Sequence, residues 1–224
     1  MELEVQMSDR TPGGTPPPNQ EKEVMENLKD LLIEELKDLY SAEQQIIKAL
    51  PKMVKGAQSE ELKNAFSEHL EVTKTHAKRI EEAFGHLEQK PKAKLCKGME
   101  GLLAEGAETL EEEKAGTLRD LEIIGAAQRV EHYEMAAYGT ARAIAEQLQL
   151  DEVVELLNQT YSEEEEADSS LSEVAESLYG EVNGESNEDE EDTSDEETEK
   201  APAMSAKSAS SQKPKAMAKK ASSR

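Results

Sequence analysis

The chain has 224 residues, with 50 acidic against 26 basic side chains and a formal charge of −24, which excludes duplex nucleic acid as a partner for its body and favours cations. Only 36% of residues are hydrophobic and 3% aromatic, with no Trp, which suits long helices with Leu, Ala and Ile seams and argues against a large sheet core. The single cysteine, Cys96, excludes an intramolecular disulfide and fits a reducing compartment, and no apolar run or signal-peptide pattern occurs, so the expectation is a soluble cytoplasmic protein that does not engage membranes.

Residues 1–20, "MELEVQMSDRTPGGTPPPNQ", carry the Pro/Gly/Thr punctuation of a disordered leader. The first helix is expected from about Glu21 to Val54, on a seam of Leu28, Leu32, Leu36, Leu39, Glu43, Ile46 and Leu50 spaced by threes and fours, with Pro51 kinking its last turn and Gly56 at its end. Ser59 suits the cap of a second helix, whose seam is Leu62, Phe66, His69, Thr73, His76, Ile80 and Phe84. About 28 residues follow, from Glu88 to Gly116, with room for one short helix around Met99 to Leu110. A third long helix, capped by Thr117 with Asp120 three residues on, follows Ile123, Ala127, Val130, Glu134, Ala137, Ala141, Ile144 and Leu148. The fourth starts near Asp151 and follows Val154, Leu157, Tyr161, Glu165, Asp168, Leu171, Ala175 and Leu178.

Beyond residue 180 the composition changes. Residues 181–200 hold 11 acidic side chains and one basic, and residues 201–224 hold six basic and none acidic. Both segments read as disordered, an acidic linker and a basic tail, and their charges of −10 and +6 leave −20 on the first 180 residues. The tail's lysines offer weak, non-specific contact with nucleic acid, but the adjoining acidic run opposes it and a solubilising tail is favoured.

Connection lengths set the topology. The first two long helices are joined by about four residues and the last two by two or three, so each pair is an antiparallel hairpin. Two hairpins with one long crossover make an all-α, ferritin-like four-helix bundle over residues 21–180.

Residues equally far from a hairpin turn lie at the same height. With the first turn at 57–58, Glu43 is level with Val72 and Thr73, and His69 and His76 flank that level by about one turn. With the second at 149–150, Glu134 is level with Glu165 and Glu131 with Asp168; Glu164 is the alternative to Glu165 if the turn sits one residue away. Seam positions that ought to be Leu or Ala are thus carboxylate or imidazole on all four helices near mid-bundle. Burying them costs several kcal/mol per charge without a cation, and no Lys or Arg occupies the seam. A metal pair is the natural compensator, and oxygen-rich ligation with imidazole suits iron or manganese. The candidate ligands are Glu43, His69, His76, Glu131, Glu134, Glu165 and Asp168. Glu163 and Glu166 read as a solvated face, His132 as a group behind the ligands or on the surface, Cys96 as inert, and Met99, Met135 and the tyrosines as packing, with a redox role near a metal as the alternative for Tyr40 and Tyr138.

The segments "LYSAEQQIIKALPKM", "AFSEHLEVTKTHAKRIE", "LCKGMEGLLAEG", "AAQRVEHYEMAAYGTARAIAEQL" and "LLNQTYSEEEEADSSLSEVA" resemble the YciE/YciF-like branch of the ferritin-like superfamily over nearly all of 25–178. The resemblance implies a homodimer of rubrerythrin-like bundles with a di-iron centre and a stress-associated bacterial role. The Glu-x-x-His pairs of ferritins are absent, so iron storage is not implied. Two function classes follow: a di-iron or di-manganese protein acting on peroxide or ferrous iron, and a non-catalytic helical stress protein with a structural or vestigial site.

Overall fold

The computed structural model describes residues 18–111 and 116–188. They form five helices, α1 (Pro18–Gly56), α2 (Glu60–His86), α3 (Lys97–Glu111), α4 (Thr117–Gln147) and α5 (Asp151–Glu188), and no strand among the described residues. The expected leader before Pro18, the rest of the acidic segment beyond Glu188 and the whole basic tail lie outside the described residues.

The two hairpins form as the connection lengths require. α1 packs on α2 and α4, and α5 on α4 and α2, while the crossover helix α3 lies against α4 and α1. Ser59, in extended backbone, accepts the N–H of Leu62 at 3.5 Å to start α2, whose first-turn acids Glu60 and Glu61 complement the helix dipole. The α4–α5 turn closes through Gln149, at φ +58°, after which the Leu150 N–H donates to the Ala145 carbonyl at 3.1 Å. α1 continues through Pro51 to Gly56, where a β carbon would run into Leu110 Cδ2; glycine there lets the end of α3 dock.

One expected cap does not form. Gly116, at φ +71°, is the N-cap of α4, and no side chain caps the helix. Asp120 is instead 1% exposed and reaches across to the α1–α2 turn, where its carboxylate accepts the N–H of Gln58 at 2.9 Å and of Ser59 at 2.6 Å. Sequence spacing alone suggests a local capping box, but the neighbouring hairpin offers two backbone donors that have no helical partner, and tertiary contact wins. Asp120→Ala should therefore cost about 1–3 kcal/mol in urea unfolding, because it removes the charged acceptor of both N–H groups. Asp120→Asn, which keeps an acceptor, should lose roughly half as much.

The core falls into two apolar clusters. Toward the α1–α2 turn lie Ile46, Leu50, Leu62, Phe66, Ile123 and Leu171. Toward the α4–α5 turn lie Leu32, Leu36, Ile80, Phe84, Ile144 and Leu157. Each such side chain stabilises the fold by about 1.5–3 kcal/mol through burial. Buried polar side chains separate the two: Glu43, Thr73, His76, Glu131, Glu134, Thr160 and Glu164.

Candidate metal centre

The polar layer arises because four apolar seams each carry a carboxylate or imidazole at mid-height, between the two apolar clusters. Glu43 comes from α1, His69 and His76 from α2, Glu131 and Glu134 from α4, and Glu164 from α5. Two groups of donor atoms form, each with its members within 4.8 Å of one another: His69, Glu131, Glu134 and Glu164 in one, and Glu43, His76 and Glu164 in the other. Glu164 belongs to both. His76 Nδ1 stands 2.8 Å from Glu164 Oε1 and 3.7 Å from Glu43 Oε1, while His69 Nε2 stands 3.6 Å from Glu131 Oε2.

These atoms point at one another without satisfying one another. Glu43 Oε2, His69 Nε2, His76 Nδ1, Glu131 Oε2 and both oxygens of Glu134 and of Glu164 are buried with no hydrogen-bond partner. A protein interior rarely tolerates even one such atom, so a constellation of them fits a cation of high charge far better than an empty seam. Six donors, mostly hard carboxylate oxygens with two imidazoles, match iron or manganese.

The surrounding groups hold the donors in place. His76 Nε2 is hydrogen-bonded to Glu163 Oε2 at 2.8 Å, and the Arg79 guanidinium grips the same carboxylate through both oxygens. Arg79 keeps Glu163 below its ordinary pKa, so an ionised acceptor stands behind the ring. That places the imidazole proton on Nε2 and turns the Nδ1 lone pair toward the cluster. On the other side, the buried Tyr138 hydroxyl donates to Glu43 Oε1. Burial, followed by the Glu43 charge, raises the pKa of that phenol and keeps it a donor.

Burial also dominates the carboxylates. It pushes Glu43 up to about 8, against the pull of His76 and with the Glu164 charge adding to the rise. It carries Glu164 to about 7, and both Glu131 and Glu134 well above their ordinary value, each of the two raised further by Glu164. Without a cation, burial favours the protonated form of these carboxylates.

The structure brings Glu43, His69, His76, Glu131 and Glu134 together and corrects the fourth helix. Glu165 is exposed, and Glu164 takes the position expected of it. The buried line of α5 runs through Val153, Leu157, Thr160, Glu164, Leu171, Val174 and Leu178, one residue before the expected seam at 154, 161 and 165. Distance from a turn fixes height to within a residue, but one residue turns a helical side chain by about 100°. Asp168 also falls outside both groups: its side chain is 23% exposed and faces the exposed His132 at 3.5 Å, although its charge helps to raise Glu131. Glu163 and Arg79 join the site without any signal in the local spacing. Tyr40 bonds Glu81, away from the cluster, and Cys96 is buried with its thiol 2.9 Å from the Tyr133 hydroxyl.

A cleft of about 280 Å³ between α2 and α5 opens on this layer and is lined by Glu68, His69, Glu131, Glu163 and Glu166 among others. Its acidic lining favours cations. No helix among the described residues is long and apolar enough to cross a membrane.

The chain is similar to known proteins. The family profile described as a domain of unknown function, DUF892, matches residues 27–183. Protein YciF of Escherichia coli (strain K12) is 40% identical over 152 residues, which cover 67% of this chain and 92% of that one. The crystal structure of the E. coli stress protein YciF aligns with a TM-score of 0.67 at 38% identity, over 68% of this chain and 97% of that chain. YcfI from Rhodopseudomonas palustris aligns at 0.63 and 42% identity, over 65% and 92%. A dodecameric thioferritin, the bacterioferritin-related protein from Bacteroides fragilis, is similar in fold alone, with a TM-score of 0.53 at 15% identity over 75% of this chain and 98% of that chain. The all-α, ferritin-like bundle expected from seam and loop lengths is the fold these neighbours have.

Proposed function

The chain belongs to the DUF892 family, and on that premise we propose that it is a stress-associated ferritin-like protein that holds two iron or manganese ions between its four long helices. The observation that carries the reading is the set of buried, unpartnered carboxylate and imidazole atoms converging from α1, α2, α4 and α5. Glu43, His76 and Glu164 would hold one ion and His69, Glu131, Glu134 and Glu164 the other. Such a pair supplies electron exchange with peroxide or with ferrous iron and an oxidant.

The chain's own residues do the rest. Glu163, anchored by Arg79, fixes the ring of His76 and its tautomer. Tyr138 keeps a proton against Glu43, both side chains being buried. The acidic cleft beside His69 gives small cations and water-sized oxidants a way in. A homodimer belongs to the same reading: Val24, Met25 and Leu31 are exposed along the first part of α1, a stripe that a second copy would cover and sedimentation would detect.

Protein purified without chelator should contain about two equivalents of iron or manganese per chain, by elemental analysis. Restoring that metal to chelated protein should raise its melting temperature, because the ion binds only the folded cluster. Ferrous-loaded protein should then consume peroxide faster than free ferrous iron does. Protein that carries no metal, and whose melting is unmoved by iron or manganese, would instead be a non-catalytic helical stress protein acting through association.

A further inference from the structure

A second cavity, also of about 280 Å³, lies beneath the crossover helix, between α1, α3 and α4. Its wall is apolar, including Ile46, Met53, Phe66, Leu102, Leu110 and Val130. Polar groups mark its two ends. At the inner end is Glu131, 3% exposed and part of the carboxylate cluster. At the solvent end are the exposed Lys48 and Lys52, one turn apart on α1, with no ion pair to any described residue. Gln45, the other polar side chain of the wall, donates to Ser41 and to the Cys96 carbonyl.

In a chain of net charge −24, two adjacent ammonium groups with no ion pair to any described residue, at the mouth of an apolar cavity, are a selective feature. They attract an anionic head, and the wall below them offers nothing but a place for hydrocarbon. Glu131 at the far end offers an anionic head no cationic partner, whereas Lys48 and Lys52 do, so the head stays outside and the chain points in. A methylene occupies about the volume of one water molecule in the liquid, about 30 Å³, so the cavity accepts roughly eight to ten carbons. We propose that this cavity binds a single-chain aliphatic carboxylate of that length, its head between Lys48 and Lys52 and its tail running under α3 toward Glu131. Binding does not depend on metal, so the experiment uses chelated full-length protein and its outcome is separable from the metal measurement above.

Calorimetric titration should show decanoate saturating one site per chain, with octanoate weaker by roughly fifteenfold, about fourfold per methylene lost. Lys48→Glu/Lys52→Glu should weaken decanoate about tenfold and leave decanol unchanged. Gly106→Leu should abolish binding of both. Gly106 lines the cavity from α3, and a β carbon on it would meet Ala126 and Met53 at 3.6 and 3.9 Å, ordinary contact distances, so the larger side chain can enter the space without a backbone clash. If that variant fails to fold, the two surface lysines decide the matter. The inference is overturned if decyltrimethylammonium binds as tightly as decanoate, if charge reversal has no effect, or if no saturable binding occurs. It is overturned equally if the lysine variant changes the oligomeric mass without any decanoate binding in the parent, since a second copy of the chain would then be the occupant.

Discussion

Glu164→Ala should reduce bound iron or manganese to less than about a tenth of the parent level, while Glu165→Ala leaves it unchanged. Glu164 is the one side chain shared by both donor groups, so its loss would weaken both positions that the carboxylates and imidazoles would hold. Glu165, its neighbour in sequence, is exposed and serves as the control for charge lost from the same turn. The metal loss should not come from unfolding. In chelated protein, removing a fully buried carboxylate whose oxygens lack partners relieves a desolvation cost, and the melting temperature should hold or rise. Glu163→Gln should fall between the two, lowering metal affinity about tenfold to a hundredfold, because it loosens the partner that orients His76 without removing a donor. Equal metal content in the Glu164 and Glu165 variants would sink the two-position site.

What could be read in the sequence was whatever depends on period and count. The seams of α1, α2 and α4 appear at the predicted residues, from Leu32 to Leu50, Leu62 to Phe84 and Ile123 to Ile144, because each is marked by several large apolar side chains. Loop lengths give both hairpins, and distance from the turns puts Glu43, His69, His76, Glu131 and Glu134 near mid-bundle without giving the grouping in which Glu131 and Glu134 face His69 while Glu43 faces His76. The fourth helix was harder for a physical reason. In "YSEEEEADSS" four consecutive glutamates carry no apolar mark of phase, so its rotation had to be taken from Val154 and Tyr161, both of which are only half-buried. Thr160, a weak apolar signal, is the residue that faces inward. Glu163 and Arg79 were illegible for another reason: they meet 84 residues apart, through a salt bridge between α2 and α5 that no local spacing encodes. The same is true of Asp120, whose spacing from Thr117 imitates a cap, and of the cavity under α3, which exists only once the crossover helix is docked.

Chelated protein should be more stable at pH 5 than at pH 8, and metal-loaded protein should reverse that order. Glu43 and Glu164 have folded-state pKa values pushed up to about 8 and about 7 from an ordinary 4.5, chiefly by burial. A carboxylate that binds its proton more tightly in the folded chain than in the unfolded one stabilises the fold fully below pH 4.5. That contribution is then lost as pH rises toward 8, at about 1.4 kcal/mol per pH unit between the unfolded and folded values. Glu131 and Glu134, raised in the same direction, steepen the fall. The groups facing them include His69, His76 and Arg79 from α2, Tyr138 from α4 and Glu163 and Asp168 from α5; Arg79 is already engaged by Glu163 and is not free to neutralise the cluster. Bound metal inverts the dependence because it binds the deprotonated carboxylates and releases their protons, so acid competes with the ion. Urea midpoints measured at pH 5, 6, 7 and 8, with and without metal, give both slopes. Glu43→Gln/Glu164→Gln should flatten the metal-free one, since the amides cannot ionise and the desolvated charge is gone. A metal-free profile that is flat in the parent chain, or that rises with pH, would mean that these side chains do not share a buried layer.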